Sequence, residues 1–494
     1  MAISNPGGEL NSVLASQKQT LVTNYLDLTS TAAAGWAQQY VPDLMEKDAE
    51  VFGPRTLSGF LSQVGAEEAM TSDQVVWSEQ GRLHLSYKGK MTDATSFLVQ
   101  ADIDGADSDN SGISNGHTGE VRHGIRVNDT VILADANGVT KCLVTAISTD
   151  DVTVAPYDGS TITALHTNQT TTCLVYGSEF GKGTNYHDVS AADTDTRGAN
   201  EPSFLTFNNK PIIMKDYYEV SGSDASRIGW VEVAAEDGQS GYLWYLKAEA
   251  DTRARFMDYI EMAMLEAEKG NTGGDADVLI NGNGAAFGTE GLFSAIETRG
   301  NISSGITGVS SAGDLAEFDA ILAEFDKQGA IEENMLFLNR STSLAIDDML
   351  ASMNSYGAGG TSYGVFDNDE DMALNLGFSG FRRGSYDFYK SDFRYLNDKA
   401  TRGGINDAAG SNAIRGVIIP AGTSTVYDQQ LGRNLKRPFL HVRFRASQTD
   451  DRRMKTWVTG SVGAATSALD AMQLHMLTER CLVVQGANNF MLMK

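Results

Sequence analysis

The chain has 494 residues, too many for one ordinary core, so about two to four domains are expected. Hydrophobic residues make up 41% and charged residues 21%, which excludes collagen-like and broadly disordered classes. The formal net charge of −26 argues against a general nucleic-acid binder, because such proteins draw most of their affinity from neutralising phosphates.

Residues 1–60 read as an extended or partly helical arm. It is polar at first and then carries Trp36, Tyr40, Leu44, Phe52, Leu57, Phe60 and Leu61 as anchors. Its opening residues lack a basic region and an apolar core, which speaks against a signal peptide. Residues 72–100 read as strands, with near alternation at Leu83, Leu85 and Tyr87. An acidic, glycine-rich stretch from Ala101 to Gly116 reads as a loop or domain junction.

Residues 125–176 alternate short apolar runs with turns at Asp135-Ala136-Asn137-Gly138 and Thr149-Asp150-Asp151. These are hairpin signals, and they predict a small all-β barrel or sandwich inserted into a host domain. Residues 202–235 read as two strands around Ser221-Gly222-Ser223-Asp224. Joined with 72–100, they would form one long antiparallel loop with the insert near its tip.

Residues 242–269 give the clearest helix. Leu246, Ala250, Ala254, Met257, Ile260 and Met264 recur at three- and four-residue steps, and Gly270-Asn271 supplies the stop. Residues 275–435 alternate helices and strands as a mixed α/β body. In it DVLING, MLFLN and GVIIPA read as strands, with Pro420 at the edge. FSGFRRGSYDFYKSDFRYL reads as aromatic-rich strands, DLAEFDAILAEFDKQG as a helix ending at Gly329, and the segment from Ser341 as another helix. Residues 437–462 read as a return hairpin, and the tail LHMLTERCLVVQGANNFMLM as helix then strand.

Catalytic and binding motifs are weak. Asp107-x-Asp109-x-Ser111-Gly112 matches half an EF-hand loop, but Thr118 stands where the bidentate glutamate belongs. The tract with Gly282, Gly284 and Gly288 (residues 281–288) loosely resembles a nucleotide-binding turn, without the immediate helix such a turn needs. The seven histidines (84, 117, 123, 166, 187, 441 and 475) form no zinc pattern, and no nucleophile elbow or phosphate loop is present. Carboxylate pairs such as Glu67-Glu68, Glu332-Glu333 and Asp369/Asp371 read as solvated surface. No catalytic residue, cofactor or metal site is therefore expected. Cys142, Cys173 and Cys481 are sparse and odd in number, which suits free thiols in a reducing compartment. The sequons at Asn128, Asn168 and Asn301 read as chance, and no run of roughly 18 apolar residues could span a membrane. Basic clusters at Arg253/Arg255, Arg382-Arg383, Arg433/Lys436/Arg437 and Arg443/Arg445 with Arg452-Arg453-Lys455 are candidates for docking on acidic patches of sister subunits.

The order of these elements is an arm, an extended two-stranded loop, a long helix, an α/β body, returning strands and a tail. It resembles the major capsid proteins of tailed bacteriophages, with the Hong Kong 97-type fold. The likeness is carried by RARFMDYIEMAMLEAEKGN running into NGNGAAFGTEGLFSAI, by DLAEFDAILAEFDKQGAIEENMLFLNRSTSLAIDDML, and by LGFSGFRRGSYDFYKSDFRYLND.

The resemblance implies an α+β capsid fold with these parts: arm 1–60, first part of the extended loop 61–103, inserted β domain 104–201, loop return 202–240, spine helix 241–274, axial α/β domain 275–435, and peripheral return strands with tail 436–494. It implies self-assembly into hexamers and pentamers of an icosahedral shell, assembled in the host cytoplasm. The partners would be the chain itself and portal, scaffolding and decoration proteins, with no sequence-specific nucleic-acid binding and no membrane. Trp36, Phe204, Phe207, Tyr217, Tyr218, Arg382 and Arg383 are the expected subunit contacts. The alternatives are a tail sheath or tube protein, or an α/β enzyme using the turn at 281–288.

Overall fold

The computed structural model describes residues 67–79, 84–103, 123–148, 151–159, 170–183, 205–223, 232–234, 240–270, 288–328, 331–353, 380–421, 423–428, 433–463 and 465–494. They fall into two compact units. One is Ser78–Thr206, and the other joins the residues on either side of it. The arm at 1–60, the half EF-hand tract and Asp369/Asp371 lie outside the described residues.

Two strands open the described chain, β1 (Glu67–Met70) and β2 (Val75–Glu79). The unit Ser78–Thr206 is then a closed barrel. Its strands are β3 (Ser86–Met91), β4 (Ser96–Asp102), β5 (Asp129–Asp135), β6 (Gly138–Ser148), β7 (Asp151–Pro156) and β8 (Thr171–Ser178), in the order β3-β4-β7-β6-β5-β8. Alternation drives the closure: Val131 and Leu133, Cys142 and Val144, and Val152 and Val154 all point into one core with Phe97 and Val99. The β5–β6 turn is held by Asp135, whose Oδ1 accepts from the backbone N–H of Asn137 at 2.7 Å and of Gly138 at 3.1 Å. One expectation is corrected here. Residues 86–102, assigned to the extended loop, are the barrel strands β3 and β4. Their inward Tyr87, Met91, Phe97 and Val99 can be buried only by closing the barrel.

The second unit continues with β9 (Leu205–Asn209), which pairs with β2, and β10 (Ile212–Ser221). The hairpin of β11 (Glu232–Ala234) and β12 (Ser240–Tyr242) leads into α1 (Leu243–Glu266). At about 1.5 Å per residue α1 is a rod of roughly 36 Å. Thr252, Phe256, Ile260 and Met264 form its buried stripe, whereas Ala250 is exposed, so the expected stripe through Ala250 is rotated in the first turns.

Two sheets carry this unit. The first is built on β22 (Ala471–Val484), a strand of 14 residues. One edge of β22 pairs with the whole of β10, from Ile212↔Arg480 to Ser221↔Ala471. Along the other edge lie β20 (Leu440–Arg445) and then β21 (Lys455–Gly460), end to end, with β1 parallel to β20 outside them.

This topology corrects three expectations. The segment at 212–221 joins a sheet and not a protruding loop. β20 and β21 make no hairpin with each other: residues 446–454 leave the ladder and return through the Ala446–Asp451 bridge. The LHMLTERCLVV tail is strand and not helix. Leu, Met and Glu favour a helix, but pairing on both edges and burial of residues 476–484 outweigh that preference.

The second sheet has the order β13-β23-β17-β14-β16-β15, with β13 (Asn301–Ser303), β14 (Glu333–Leu338), β15 (Gly380–Arg383), β16 (Tyr386–Asp392), β17 (Gly416–Pro420) and β23 (Met491–Met493). Its inner strands β14, β17 and β23 are largely buried on both faces and read as apolar runs, whereas β13, β15 and β16 keep polar, partly exposed positions. Phe337, Val417, Ile419 and Leu492 enter a core shared with Leu440, Val442, Leu482 and the end of α1. Leu336, Leu338, Ile418, Met491 and Met493 face the other way. They meet Phe318 and Phe325 of α3 (Ser311–Gln328) and Ile346 and Met349 of α4 (Arg340–Met353). Pro420 ends β17, an interior strand, where the next N–H, from Ala421, takes up the ladder by donating to Glu333 O at 2.9 Å. The short helices α2 (Leu292–Arg299) and α5 (Arg402–Ala409) and the hairpin of β18 (Thr423–Asp428) and β19 (Arg433–Pro438) complete the described fold.

Candidate subunit interface

The sheet built on β22 is covered unequally. On one face, Met214 and Met476 pack under Phe256 and Ile260 of α1. Side chains alternate, so Tyr217, His475 and Trp457 stand in one cross-strand row on the opposite face. Their rings stack: Tyr217 on His475 at 6.1 Å and 28°, and His475 on Trp457 at 5.2 Å and 18°. The His475 ring is fixed from a third side by Thr459 Oγ1 at 2.7 Å from its Nε2. Tyr217 remains 58% exposed and Trp457 37% exposed, and Ile213 on the same face is also open. Among the described residues no strand pairs with the outer edge of β21 or of β10. An aromatic ladder bounded by two open strand edges can take apolar area and main-chain hydrogen bonds from a partner.

Beside the ladder, ion pairs tie β1 to the sheet. Arg480 NH1 lies 3.2 Å from Glu67 Oε1, and its Nε donates to Thr478 Oγ1 at 2.7 Å. Arg453 NH2 reaches Glu67 Oε2 at 2.5 Å, Arg443 reaches Glu68 at 2.9 Å, and Arg452 and Arg445 both reach Glu479. Each cation of the Arg443/Arg445/Arg452/Arg453/Lys455 cluster thus has a carboxylate partner within the chain. The reason is local: β1 and β22 bring Glu67, Glu68 and Glu479 among these guanidiniums. Arg255 likewise pairs with Asp216 and Arg253 with Glu249.

The expected contact residues are scattered. Trp36 and Phe204 lie outside the described residues. Phe207 is half-buried. Its ring is 6.3 Å from that of Trp77, and Arg299 lies over both, 4.6 Å from the Phe207 centroid, held by Glu290 at 2.7 Å. Tyr217 is on the exposed ladder, whereas Tyr218, pointing the other way, is buried. Arg382 is exposed, 3.6 Å from Asp387, while Arg383 is held at 2.5 and 2.7 Å by both carboxylate oxygens of Asp319. Trp457 and His475 were missed. Their signal exists only in register, because 18 residues of chain separate two rings that touch across strands.

Most of the tract at 281–288 lies outside the described residues. Gly288, at φ 89°, sits where a Cβ would meet Glu268 O at 2.3 Å, and the next N-terminal N–H of α2, from Gly291, donates to Ala267 O at 2.7 Å. That end of the tract packs on the C-terminus of α1. Among the described residues no cluster of His, Cys, Asp or Glu has the makings of a metal site, and no helix is long and apolar enough to cross a membrane. Burial pushes the thiols of Cys142, Cys173 and Cys481 up, to about 11, 12 and 12.

No family model matches the sequence, and no curated protein matches it. Among solved structures, the chain is similar to one from Microbacterium phage Oxtober96, at 9% identity over 95% of this chain and 99% of the other, TM-score 0.37. It is similar to the capsid of a native GTA particle at 10% identity, over 94% and 98% of the two chains, TM-score 0.34. It is also similar to the capsid of cyanophage P-SCSP1u at 8% identity, over 65% and 80%, TM-score 0.33. Likenesses this loose carry no functional weight, and the functional reading rests on sequence and geometry.

Proposed function

We propose that the chain is a major capsid protein of a tailed bacteriophage, a non-enzymatic subunit whose copies assemble as hexamers and pentamers into an icosahedral shell around the genome. The observation that carries this reading is the sheet on β22. A long helix covers one face, and the other presents the stacked row Tyr217–His475–Trp457 between two strand edges that no strand pairs among the described residues. Such a surface suits a broad contact with another copy. Aromatic side chains supply contact area at low entropic cost, and edge strands supply directional pairing. The order of parts supports the same reading: a helix of 24 residues laid on a sheet, a second sheet sandwiched by helices, and a barrel inserted ahead of both. Portal, scaffolding and decoration proteins would then be further partners, and the virion the place of action.

The test is negative-stain electron microscopy of the purified chain, with solution mass from light scattering. Closed shells, or rings of five and six copies, support the proposal. Helical tubes would assign the chain to a tail. A monomer at every salt and protein concentration, even with co-expressed virion proteins, would sink it.

A further inference from the structure

The middle ring of the Tyr217–His475–Trp457 row is the member whose charge changes near neutral pH. Its surroundings fix where its protons sit. Gln473, opposite Glu219 on β10 and Thr459 on β21, donates from Nε2 to Glu219 Oε2 at 2.7 Å. The Thr459 hydroxyl donates to Gln473 Oε1 at 3.3 Å. A hydroxyl has a single hydrogen, so at its other contact Thr459 Oγ1 must accept, from His475 Nε2 at 2.7 Å. The chain His475–Thr459–Gln473–Glu219 therefore runs one way, each link donating towards the carboxylate. It assigns the proton of the neutral ring to Nε2. A second proton goes to Nδ1. Among the described residues Nδ1 has no hydrogen-bond partner, and the half-buried ring leaves it in contact with water. The neutral ring thus presents an acceptor at the centre of the row, and the imidazolium presents a charged donor.

The charges around the ring nearly cancel. On β22 its same-face neighbours are Gln473 and Leu477. On β10 they are Lys215 and Glu219, both exposed, with the Tyr217 phenol between them. On β21 the neighbour is Lys455, which Asp450 holds at 2.6 Å. Stacking on Tyr217 and Trp457 favours the cation, but it does so equally before and after another copy arrives. What changes on contact is water. A copy that covers the row strips solvent from Nδ1. A neutral acceptor loses that water at modest cost or meets an N–H of the partner, whereas an unpaired charge in an apolar contact costs far more. We propose that His475 is an acid-sensitive latch in the contact between copies: the neutral ring lets the row be covered, and protonation at Nδ1 opens it. This rests on the reading of the row as a subunit contact. The sign follows from the buried charge. The contact holds where imidazole is neutral and weakens as pH falls from about 8 to about 5. Carboxylates stay largely ionised over most of that window, so they do not mask the effect.

The test is assembly of the full-length protein, followed by light scattering at fixed sodium chloride between about pH 8 and about pH 5.5. The concentration needed for assembly should rise about tenfold towards acid, from one stripped charge per contact, and should fall back on return. His475→Gln keeps a neutral N–H donor and His475→Phe keeps a stacked ring, and in both the rise should be lost. Circular dichroism at each pH reports that the subunits stay folded. Hydrogen–deuterium exchange at His475 Cε1, read by mass spectrometry on the wild type, should show the ring taking its second proton less readily in assemblies than in free subunits. An equal acid response in wild type and variants, or equal proton uptake in both states, overturns the latch. Assemblies indifferent to pH overturn the latch alone. No assembly at any pH, even with co-expressed virion proteins, overturns the contact reading and the latch with it.

Discussion

Glu67→Gln tests whether β1 is held by charge. The Arg480 guanidinium is almost closed from water, with 6% of its side chain exposed, and its counter-charge is Glu67 at 3.2 Å. Burial pulls its pKa below the ordinary arginine range; the nearby Arg453 adds to this and Glu67 opposes it. A glutamine keeps an acceptor and removes the charge, leaving Arg480 with Thr478 Oγ1 and the Arg453 carbonyl. Breaking a fully buried pair from one side costs about 3–5 kcal/mol. Glu67 keeps 28% side-chain exposure, so water screens the pair and the expected loss is about 2 kcal/mol. Arg480→Met should cost less, about 1 kcal/mol, because it removes the burial penalty with the charge and Glu67 keeps Arg453 at 2.5 Å. Urea unfolding followed by tryptophan fluorescence measures both, since Trp457 stands on the same sheet. If Arg480→Met proves the more damaging change, or both variants unfold with the native protein, the charge argument is wrong.

Trp457→Ala with Tyr217→Ala should lower particle yield severely while costing the monomer only about 1 kcal/mol each, read by paired microscopy and urea unfolding. Cys142, Cys173 and Cys481, with thiols pushed up to about 11, 12 and 12, should not react with a disulfide reagent at pH 8; rapid labelling without denaturant would contradict their burial. Tyr395 donates to Glu266 Oε1 at 2.8 Å from inside the core shared by both sheets, so Tyr395→Phe should lose about 1–2 kcal/mol in thermal unfolding. Phe318, fully buried against Phe381 and Phe388, should cost about 3–5 kcal/mol as alanine.

What was legible in the sequence was local. Periodicity placed α1, Asp135-Ala136-Asn137-Gly138 gave the β5–β6 turn, and apolar runs gave β14 and β17. What was not legible depends on partners distant in the chain. β22 is written in helix formers, and only its ladders with residues 212–221 and 440–460 make it a strand. Residues 86–102 alternate as any half-buried strand does, and nothing local tells a barrel wall from an extended loop. That arginines 443 and 453 have partners within the chain is likewise hidden, because β1, hundreds of residues earlier, brings Glu68 and Glu67 beside them. Within the proposed interface the sequence offered Tyr217 and Tyr218 as equal candidates, only the strand's alternation separates exposed Tyr217 from buried Tyr218, and His475 and Trp457 acquire meaning only from register.

Pairing within the chain also decides how copies can meet. Each carries a formal charge of −26, and the arginines beside the β22 sheet already hold carboxylates of their own chain. They are poorly placed to neutralise a neighbour, so close approach must work against like charge, and apolar and main-chain contacts must supply the attraction. At about 10 mM salt the screening length is roughly 30 Å and repulsion reaches across a contact; at about 0.1 M it shrinks to roughly 10 Å. Apolar contacts persist over that range. Assembly followed by light scattering should therefore rise with sodium chloride from about 10 mM and level off above physiological strength. Shells that dissolve as salt is raised would mean that ion pairs between copies hold them, and the row Tyr217–His475–Trp457 would lose its claim to be the contact.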